Sequence, residues 1–188
     1  MKRRDFLQNT ALAAAALGLP DVAGANPYRE IWLYIRTRER SVTLYQGYRE
    51  PRPLRHFEPG AIGRKGAAGF RVRGSSITPR GRFRISRINE QSRFHRFFGF
   101  DYPTLEQARE GRRRGILSRR ELEAVRMARR QGRQPPQTTA LGGHIGLHGV
   151  NNGRSTDWDW TEGCVALPNH QIDILTPWLT NGTHVVVV

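Results

Sequence analysis

The chain has 188 residues, of which 31 are Lys or Arg and 16 are Asp or Glu, so its formal net charge is +15 at pH 7. One domain of this length can bury a substantial core, and the single cysteine excludes an internal disulfide. A balance this basic favours nucleic acid as partner for a cytoplasmic protein, but the anionic surfaces of the cell envelope for an exported one.

The first 25 residues have the pattern of an export signal. A twin-arginine region at residues 2–4 precedes an apolar stretch over residues 11–19, which is shorter than the roughly 20 residues that span a bilayer. A small-residue cleavage site ends at Ala25. We therefore expect a Tat-type signal over residues 1–25, a mature domain over residues 26–188 and a periplasmic location. An uncleaved membrane anchor is the alternative.

From Glu30 onward the pattern predicts β-structure. Residues 31–36 and 41–46 each alternate apolar and polar side chains, and a polar turn separates them, which predicts a hairpin. Pro51 and Pro53 then favour an edge strand over a central one.

Glycines and basic side chains are interspersed over residues 60–74, without the Gly-Lys-Ser/Thr of a phosphate-binding loop. We interpret this glycine-rich segment as a surface loop that leads to a strand over residues 82–88. The aromatic stretch over residues 92–100 predicts a core strand or a lid under a cleft, and His95 within it is interpreted as structural.

Residues 104–133 interrupt the β pattern with two predicted helices. Thr104 can cap the first, and Ser118 with Glu121 forms a capping box for the second. Arginines cover the outer face of the second helix, which is typical of a solvated face. The alternative is that this helical insertion docks onto the anionic cell wall or covers the cleft.

The run from His144 to His148 alternates as a strand does, so His144, Gly146 and His148 are expected on one face. A polar loop over residues 151–159 follows, and its neighbouring tryptophans, Trp158 and Trp160, are expected either to form a wall of a cleft or to hold the loop against the core. Beyond Cys164, Asn169 is expected to cap a short helix to Leu175, and residues 183–188 to form a closing strand.

Cys164 and His148 have fifteen residues between them and can meet in space if the intervening loop folds back. An unperturbed thiol is only roughly 3% thiolate at pH 7, so a thiol nucleophile needs a neighbouring base. The N–H groups of Gly163 and Cys164 are candidates for an oxyanion hole, and the charge of Glu162 is expected to point away from the sulfur. The alternative is a buried Cys164 without reactivity and a structural His148.

Three motifs together resemble the L,D-transpeptidase (YkuD-type) catalytic domain. The first is His148-Gly149 followed, after a loop, by Thr161-Glu162-Gly163-Cys164-Val165, and the second is the upstream Thr78-Pro79-Arg80-Gly81-Arg82-Phe83. The third, Asp159-Trp160-Thr161 with Gly182-Thr183-His184-Val185, is similar to the YafK-like branch of that family. Several motifs in the same order are more specific than one.

The resemblance implies a mainly β fold with a few helices (α+β), of β-sandwich or barrel-like mixed sheets, with a helical insertion over about residues 104–133. It implies that Cys164 is the nucleophile, His148 the base and the carbonyl of Gly149 the group that orients the imidazole. It also implies, as the alternative to a plain surface loop, that the glycine-rich segment lies near the substrate cleft. Thr161, Trp160 and His144 are expected to contact the substrate, with no metal and no organic cofactor.

The implied activity is transfer of a peptidoglycan stem peptide through a thioester on Cys164, to the amine of another stem or of an outer-membrane lipoprotein; export removes nucleic acid as a partner. Many family members have Arg two residues after the cysteine, where this chain has Ala166. That departure leaves a peptide hydrolase on the same site as an alternative. A third interpretation is a non-catalytic wall-binding protein with zinc on Cys164, His148 and His144.

Overall fold

The computed structural model describes residues 30–151 and 154–188. The predicted export signal over residues 1–25 and the predicted mature start lie outside the described residues. Within the described part, no helix combines the length and the apolar character that crossing a bilayer requires.

The described part consists mainly of strands, with three α-helices and one short 3-10 helix. The strands are β1 (Ile31–Arg36), β2 (Ser41–Gln46), β3 (Arg52–Phe57), β4 (Ala67–Ala68), β5 (Thr78–Pro79), β6 (Gly81–Ser92), β7 (His95–Phe100), β8 (Gly146–His148), β9 (Val165–Ala166) and β10 (His184–Val187). The helices are α1 (Leu105–Arg113), α2 (Arg119–Arg130), α3 (Asn169–Leu175) and the 3-10 helix Thr176–Trp178.

Eight strands form one mixed sheet in the order β3-β2-β1-β10-β6-β7-β8-β9, and β4 pairs with β5 separately. The β1–β10 and β8–β9 pairs are parallel, whereas the other neighbours in the large sheet are antiparallel. The described sheet has two distinct end strands, so it is open rather than a closed barrel. The predicted class, mainly β with mixed sheets and a few helices, is confirmed.

The predicted hairpin is β1 and β2, which pair in antiparallel register. Along β1 the side chains of Ile31, Leu33 and Ile35 are buried and their neighbours are half-buried. Each such aliphatic side chain contributes about 1.5–3 kcal/mol when it leaves water. β3, with Pro53, is the edge strand that the prolines predicted.

β6 is longer than predicted and joins the two halves of the sheet. It pairs with β10 through Gly81–Arg84 and with β7 from Ile85 onward. The pairing of β6 with β7 shifts register at two places. In β7 the rings of Phe98 and Phe100 are each 1% exposed, which confirms the predicted core strand.

α1 and α2 begin at the predicted positions, because Thr104 and Ser118 each complete a capping box. α2 packs inward through Val125 and through an ion pair of 2.8 Å between Arg129 and Asp101. Four of the arginines predicted on the outer face are exposed, as expected for a solvated face; they are Arg119, Arg120, Arg130 and Arg133. The fifth, Arg126, is half-buried and pairs with Glu123 at 3.2 Å.

The capping role predicted for Asn169 is wrong. Pro168 occupies the N-cap of α3, and Asn169 is the first helical residue. The Asn169 side chain instead accepts a 2.7 Å hydrogen bond from the N–H of Val150, which ties α3 to the segment after β8. The predicted end at Leu175 is correct, and Pro177 lies in the 3-10 helix that follows.

Candidate active site

The cysteine loop, residues 161–164, is held by the segment that precedes β4. Ala61 exchanges two N–H···O bonds of 2.8 Å with β9, directly after the loop. The N–H of Thr161 donates to the carbonyl of Ile62 at 3.1 Å, and the N–H of Arg64 donates to the carbonyl of Thr161 at 3.0 Å. The glycine-rich segment therefore fixes one side of the loop.

The side chain of Thr161 fixes the loop from within. Its hydroxyl donates to the carbonyl of Cys164 at 2.6 Å and accepts from the N–H of Gly163 at 3.1 Å. The residue is 2% exposed, although it borders the cleft beside the loop. The oxyanion role predicted for the Gly163 N–H would require this hydrogen bond to open, so the Cys164 N–H is the better placed of the two predicted donors.

Gly163 adopts φ +128°, where side chains are disfavoured. A Cβ there would lie 2.6 Å from the carbonyl oxygen of Ile77, so only glycine fits. The carboxylate of Glu162 accepts from the Ser76 hydroxyl at 2.8 Å and pairs with Arg64. Its side chain is 67% exposed and borders the same cleft as Cys164, so the expectation that its charge points away from the sulfur stays a prediction.

The thiol of Cys164 is half-buried and donates to the carbonyl of His144 at 3.2 Å. Burial of the sulfur among protein atoms raises the pKa of the Cys164 thiol from 9.0 to about 11, although the Gly146 N–H and the charge of Arg71 act in the opposite direction. In this conformation the thiol is therefore protonated at neutral pH.

The imidazole of His148 is buried and oriented by one backbone group. Its Nδ1 lies 2.6 Å from the carbonyl oxygen of Gly149. A carbonyl oxygen only accepts, so Nδ1 carries the proton and Nε2 has the free lone pair. Burial lowers the pKa of His148 from 6.5 to about 4, against the effect of the Gly149 carbonyl, and the charge of Arg93 lowers it further. The imidazole is thus neutral and able to accept a proton.

Three aromatic rings surround this imidazole. Phe94 stacks on it with 4.6 Å between ring centres, and Trp160 and Phe97 lie at 5.9 and 6.2 Å. Trp160 also donates from its indole nitrogen to the carbonyl of Ser155 at 2.9 Å, so it both borders the cleft and holds its loop. Trp158 is 54% exposed.

The parallel pairing of β8 with β9 brings the cysteine and histidine together. Leu147 is opposite Val165 and His148 is opposite Ala166. Continued by one residue, this register places Cys164 opposite Gly146, which shares a face with His148. The Cα atoms of Cys164 and His148 are then offset by about 4.8 Å across the strands and by about 6.6 Å along them. Both side chains border one cleft.

The strand prediction for His144 is wrong. β8 covers only Gly146–His148, and His144 has φ +54°, which ends the extended conformation before the strand begins. The side chain of His144 is exposed at the cleft, and its carbonyl accepts the thiol hydrogen bond. His144 therefore meets Cys164 through its backbone.

The cleft has a volume of about 1080 Å³ and runs past both reactive groups. The predicted substrate neighbours Thr161, Trp160 and His144 all border it. The glycine-rich segment does so too, through Arg64, Arg71 and Arg73, so its alternative interpretation as a cleft wall is correct.

The sequence analysis placed Arg71 only within the glycine-rich segment, and it missed the basic residues on the other side of the cleft. Arg71 is 6% exposed, and one Nη donates to the carbonyl of Glu162 at 3.2 Å. Its Nε and other Nη are buried and have no hydrogen-bond partner among the described residues. Arg87, Arg93 and Arg154 border the opposite side. Nothing in the sequence distinguishes these arginines from the many on the surface.

The zinc interpretation is not supported. Within residues 30–151 and 154–188, no group of three or more His, Cys, Asp or Glu side chains is arranged to hold a metal ion. The Nδ1 of His148 is bonded to Gly149, and the His144 side chain is exposed. His95 pairs with Asp173 of α3 at 2.6 Å, in agreement with its predicted structural role.

Comparison with known families gives one match, to the YkuD family model, described as the L,D-transpeptidase catalytic domain, over residues 30–187. Comparison with curated proteins gives no significant match.

Among solved structures, Bd1075 from Bdellovibrio bacteriovorus is similar at a TM-score of 0.56 and 16% identity, over 85% of this chain and 48% of that one. The helical cell shape determining protein Pgp2 from Campylobacter jejuni is similar at a TM-score of 0.57 and 18% identity, over 84% and 46%. This chain thus spans about half the length of these two proteins, and the likeness concerns the fold.

Proposed function

Since this chain belongs to the YkuD family of L,D-transpeptidase catalytic domains, we propose that it is a cysteine-dependent acyltransferase that acts on peptidoglycan stem peptides through a thioester on Cys164. The observation that carries this proposal is that one cleft is bordered both by a thiol and by an imidazole whose Nδ1 is held by the Gly149 carbonyl. That hydrogen bond leaves Nε2 as the only nitrogen able to take the thiol proton.

In the first half-reaction, Nε2 of His148 takes the proton from Cys164 as the sulfur attacks the carbonyl of the third stem residue. A C–S bond forms, the C–N bond to the terminal D-alanine breaks, and the proton passes from His148 to the leaving nitrogen. The N–H of Cys164 is the proposed oxyanion donor. In the second half-reaction an amine of another stem, or of an outer-membrane lipoprotein, gives its proton to His148 as its nitrogen bonds to the acyl carbon. The C–S bond then breaks, and His148 returns the proton to the sulfur of Cys164.

The two pKa values favour general-base catalysis over a preformed ion pair. A thiol with a pKa of about 11 does not transfer its proton spontaneously to an imidazole with a pKa of about 4. The proton therefore moves as the sulfur bonds to carbon, because bond formation removes the negative charge from sulfur. A neutral His148 also remains a base at mildly acidic pH.

The decisive experiment compares the protein with its Cys164→Ala variant on disaccharide-tetrapeptide. Intact-mass measurement should find an acyl adduct, with D-alanine released, only on the protein that has the thiol. Hydroxylamine should remove the adduct, because it cleaves thioesters. A His148→Asn variant should form the adduct far more slowly. If the unaltered protein forms neither adduct nor product, the proposal is wrong.

Hydrolysis on the same site is the second candidate, favoured by Ala166 where many family members have arginine. Ala166 is fully buried opposite His148, so its position beside the base has no charged group to hold an acceptor. With an amine acceptor present, cross-linked dimers indicate transfer, whereas free tripeptide alone indicates hydrolysis. Assignment to the YafK-like branch and export to the periplasm are likewise proposals, which rest on the motifs and on residues 1–25.

A further inference from the structure

The cleft is strongly basic. Six arginines border it, whereas Glu162 is its one acidic residue among those the structure describes. The six are Arg64, Arg71, Arg73, Arg87, Arg93 and Arg154. A concave surface lined by one sign of charge concentrates ligands of the opposite sign.

On the cysteine side, the arginines are already bonded to the protein. Arg64 pairs with Glu162, and Arg73 donates to the carbonyl of Thr139 at 2.7 and 3.1 Å. Arg71 holds the carbonyl of Glu162 and contacts the Tyr102 ring, with 5.7 Å from its Cζ to the ring centre. These three guanidinium groups hold the cysteine loop and the loops around it.

On the histidine side, each arginine lies over one of the three rings that surround His148. Arg93 is 4.7 Å from the centre of Phe94, and the corresponding distances are 4.6 Å for Arg154 on Trp160 and 5.5 Å for Arg87 on Phe97. All three are exposed, and none pairs with a carboxylate within residues 30–151 and 154–188. Stacking by the face leaves the N–H groups at the guanidinium edge free to bind.

The chemistry of the proposed reaction specifies what must come near these groups. His148 protonates the leaving nitrogen and deprotonates the attacking one, so both nitrogens approach Nε2. The leaving D-alanine has a carboxylate on the carbon next to that nitrogen, within a few ångströms of it. Arg93 lies on Phe94, the ring that stacks on His148, so its guanidinium is also near the place of that carboxylate.

We propose that Arg93, Arg87 and Arg154 form a carboxylate subsite on the histidine side of the cleft. The subsite binds the carboxylate of the leaving amino acid and so selects donors with a free C-terminus. Guanidinium groups match a carboxylate with two parallel hydrogen bonds, and their stacking on rings fixes their planes. The buried Arg71, with two unpaired donors, adds positive potential from the other side. The inference rests on the proposed function.

The test compares two donors that differ only in the terminal group, a tetrapeptide ending in D-alanine and one ending in D-alaninamide. The rate of adduct formation on Cys164 should be about tenfold or more higher with the free carboxylate. In Arg93→Gln that ratio should collapse toward one, because the variant loses rate on the carboxylate donor alone. Arg120→Gln, an equal loss of charge on the exposed face of α2, should keep the full ratio.

Raised salt should reduce the ratio in the unaltered protein, because exposed charges are screened. If the unaltered protein acylates both donors at equal rates, the subsite inference is wrong while the proposed function stands. If the variants Arg93→Gln, Arg87→Gln and Arg154→Gln all keep the preference for the free carboxylate, these arginines do not provide the selectivity. If neither donor forms an adduct, the proposed function itself fails.

Discussion

The two sides of the cleft hold their reactive groups by different means. The cysteine loop is fixed by hydrogen bonds, from the Thr161 hydroxyl, the backbone of residues 61–64 and Arg71. The imidazole of His148 bonds the Gly149 carbonyl through Nδ1, and three rings enclose it. Hydrogen bonds fix position within tenths of an ångström, whereas ring packing mainly excludes water.

This difference predicts different sensitivities on the two sides. On the cysteine side, one added or removed atom should disturb the loop, because its backbone has no free space. On the histidine side, substitutions should change the pKa of the base more than its position, because burial is what lowers that pKa. Substitutions and a change of pH test this contrast, from the largest expected effect to the smallest.

Gly163→Ala should have the largest effect. The new Cβ would lie 2.6 Å from the Ile77 carbonyl, at a φ of +128° that alanine disfavours. Since the obstructing atom is backbone, the loop must move, at a cost of about 3 kcal/mol or more in the free energy of unfolding. Urea unfolding measures the loss, and adduct formation on Cys164 should be abolished.

Gly69→Ala is the matched control for that variant. Gly69 lies in the glycine-rich segment, and a Cβ added to it would have nothing within 4 Å, so the change should stay within about 0.5 kcal/mol. Equal destabilisation by the two substitutions would contradict the view that the cysteine loop is sterically fixed.

The free energy of unfolding should fall in acid because of His148. Its pKa is 6.5 when unfolded and about 4 when folded, so the unfolded chain binds more protons between these values. The contribution is fully present above pH 6.5 and is lost as the pH falls through 4. The loss amounts to about 3 kcal/mol, and urea unfolding at pH 7, 5.5 and 4 measures it.

His148→Asn isolates this contribution from that of the carboxylates. Its amide can still donate to the Gly149 carbonyl, but it does not titrate. The variant will be less stable overall, so the comparison concerns the slope with pH, which should be shallower than in the unaltered protein. Parallel curves for the two proteins would show that the folded imidazole titrates near its ordinary pKa.

Thr161→Val should destabilise the protein by about 2 kcal/mol. The substitution retains the shape but removes the hydroxyl that bonds the Cys164 carbonyl and the Gly163 N–H, and it leaves both buried groups without this partner. Thr161→Ser retains the hydroxyl and should recover most of the loss. If valine and serine are equally stable, the two hydrogen bonds contribute little and packing alone holds the loop.

Much of the fold could be predicted because local chemistry determines it. The alternation in β1 and β2 and the capping boxes at Thr104 and Ser118 involve residues close in sequence, and all were correct. The errors at His144 and Asn169 have one cause. Each has a local pattern typical of a strand or a cap, but its conformation is determined by partners distant in sequence, Cys164 and Val150.

The candidate site likewise contains residues that the sequence predicted and residues that it did not. The motif predicted Cys164, His148 and Gly149; in the structure Cys164 and His148 border one cleft, and Nδ1 of His148 bonds the Gly149 carbonyl. The cleft arginines could not be predicted, because they come from segments far apart in the chain. Only the tertiary fold separates Arg93, stacked beside the base, from the outer arginines of α2 that face solvent.

Phe94→Ala should have the smallest effect and tests the histidine side alone. Removing the half-buried ring that stacks on His148 admits water to one face of the imidazole. The pKa should then rise from about 4 toward 6.5 by about one unit, equivalent to about 1 kcal/mol, while the cysteine loop keeps its hydrogen bonds. Titration of the ring nitrogens by NMR measures this shift. Trp158→Ala, which removes an exposed ring from the neighbouring loop, should leave the pKa unchanged, and equal shifts in both variants would refute the role of ring packing.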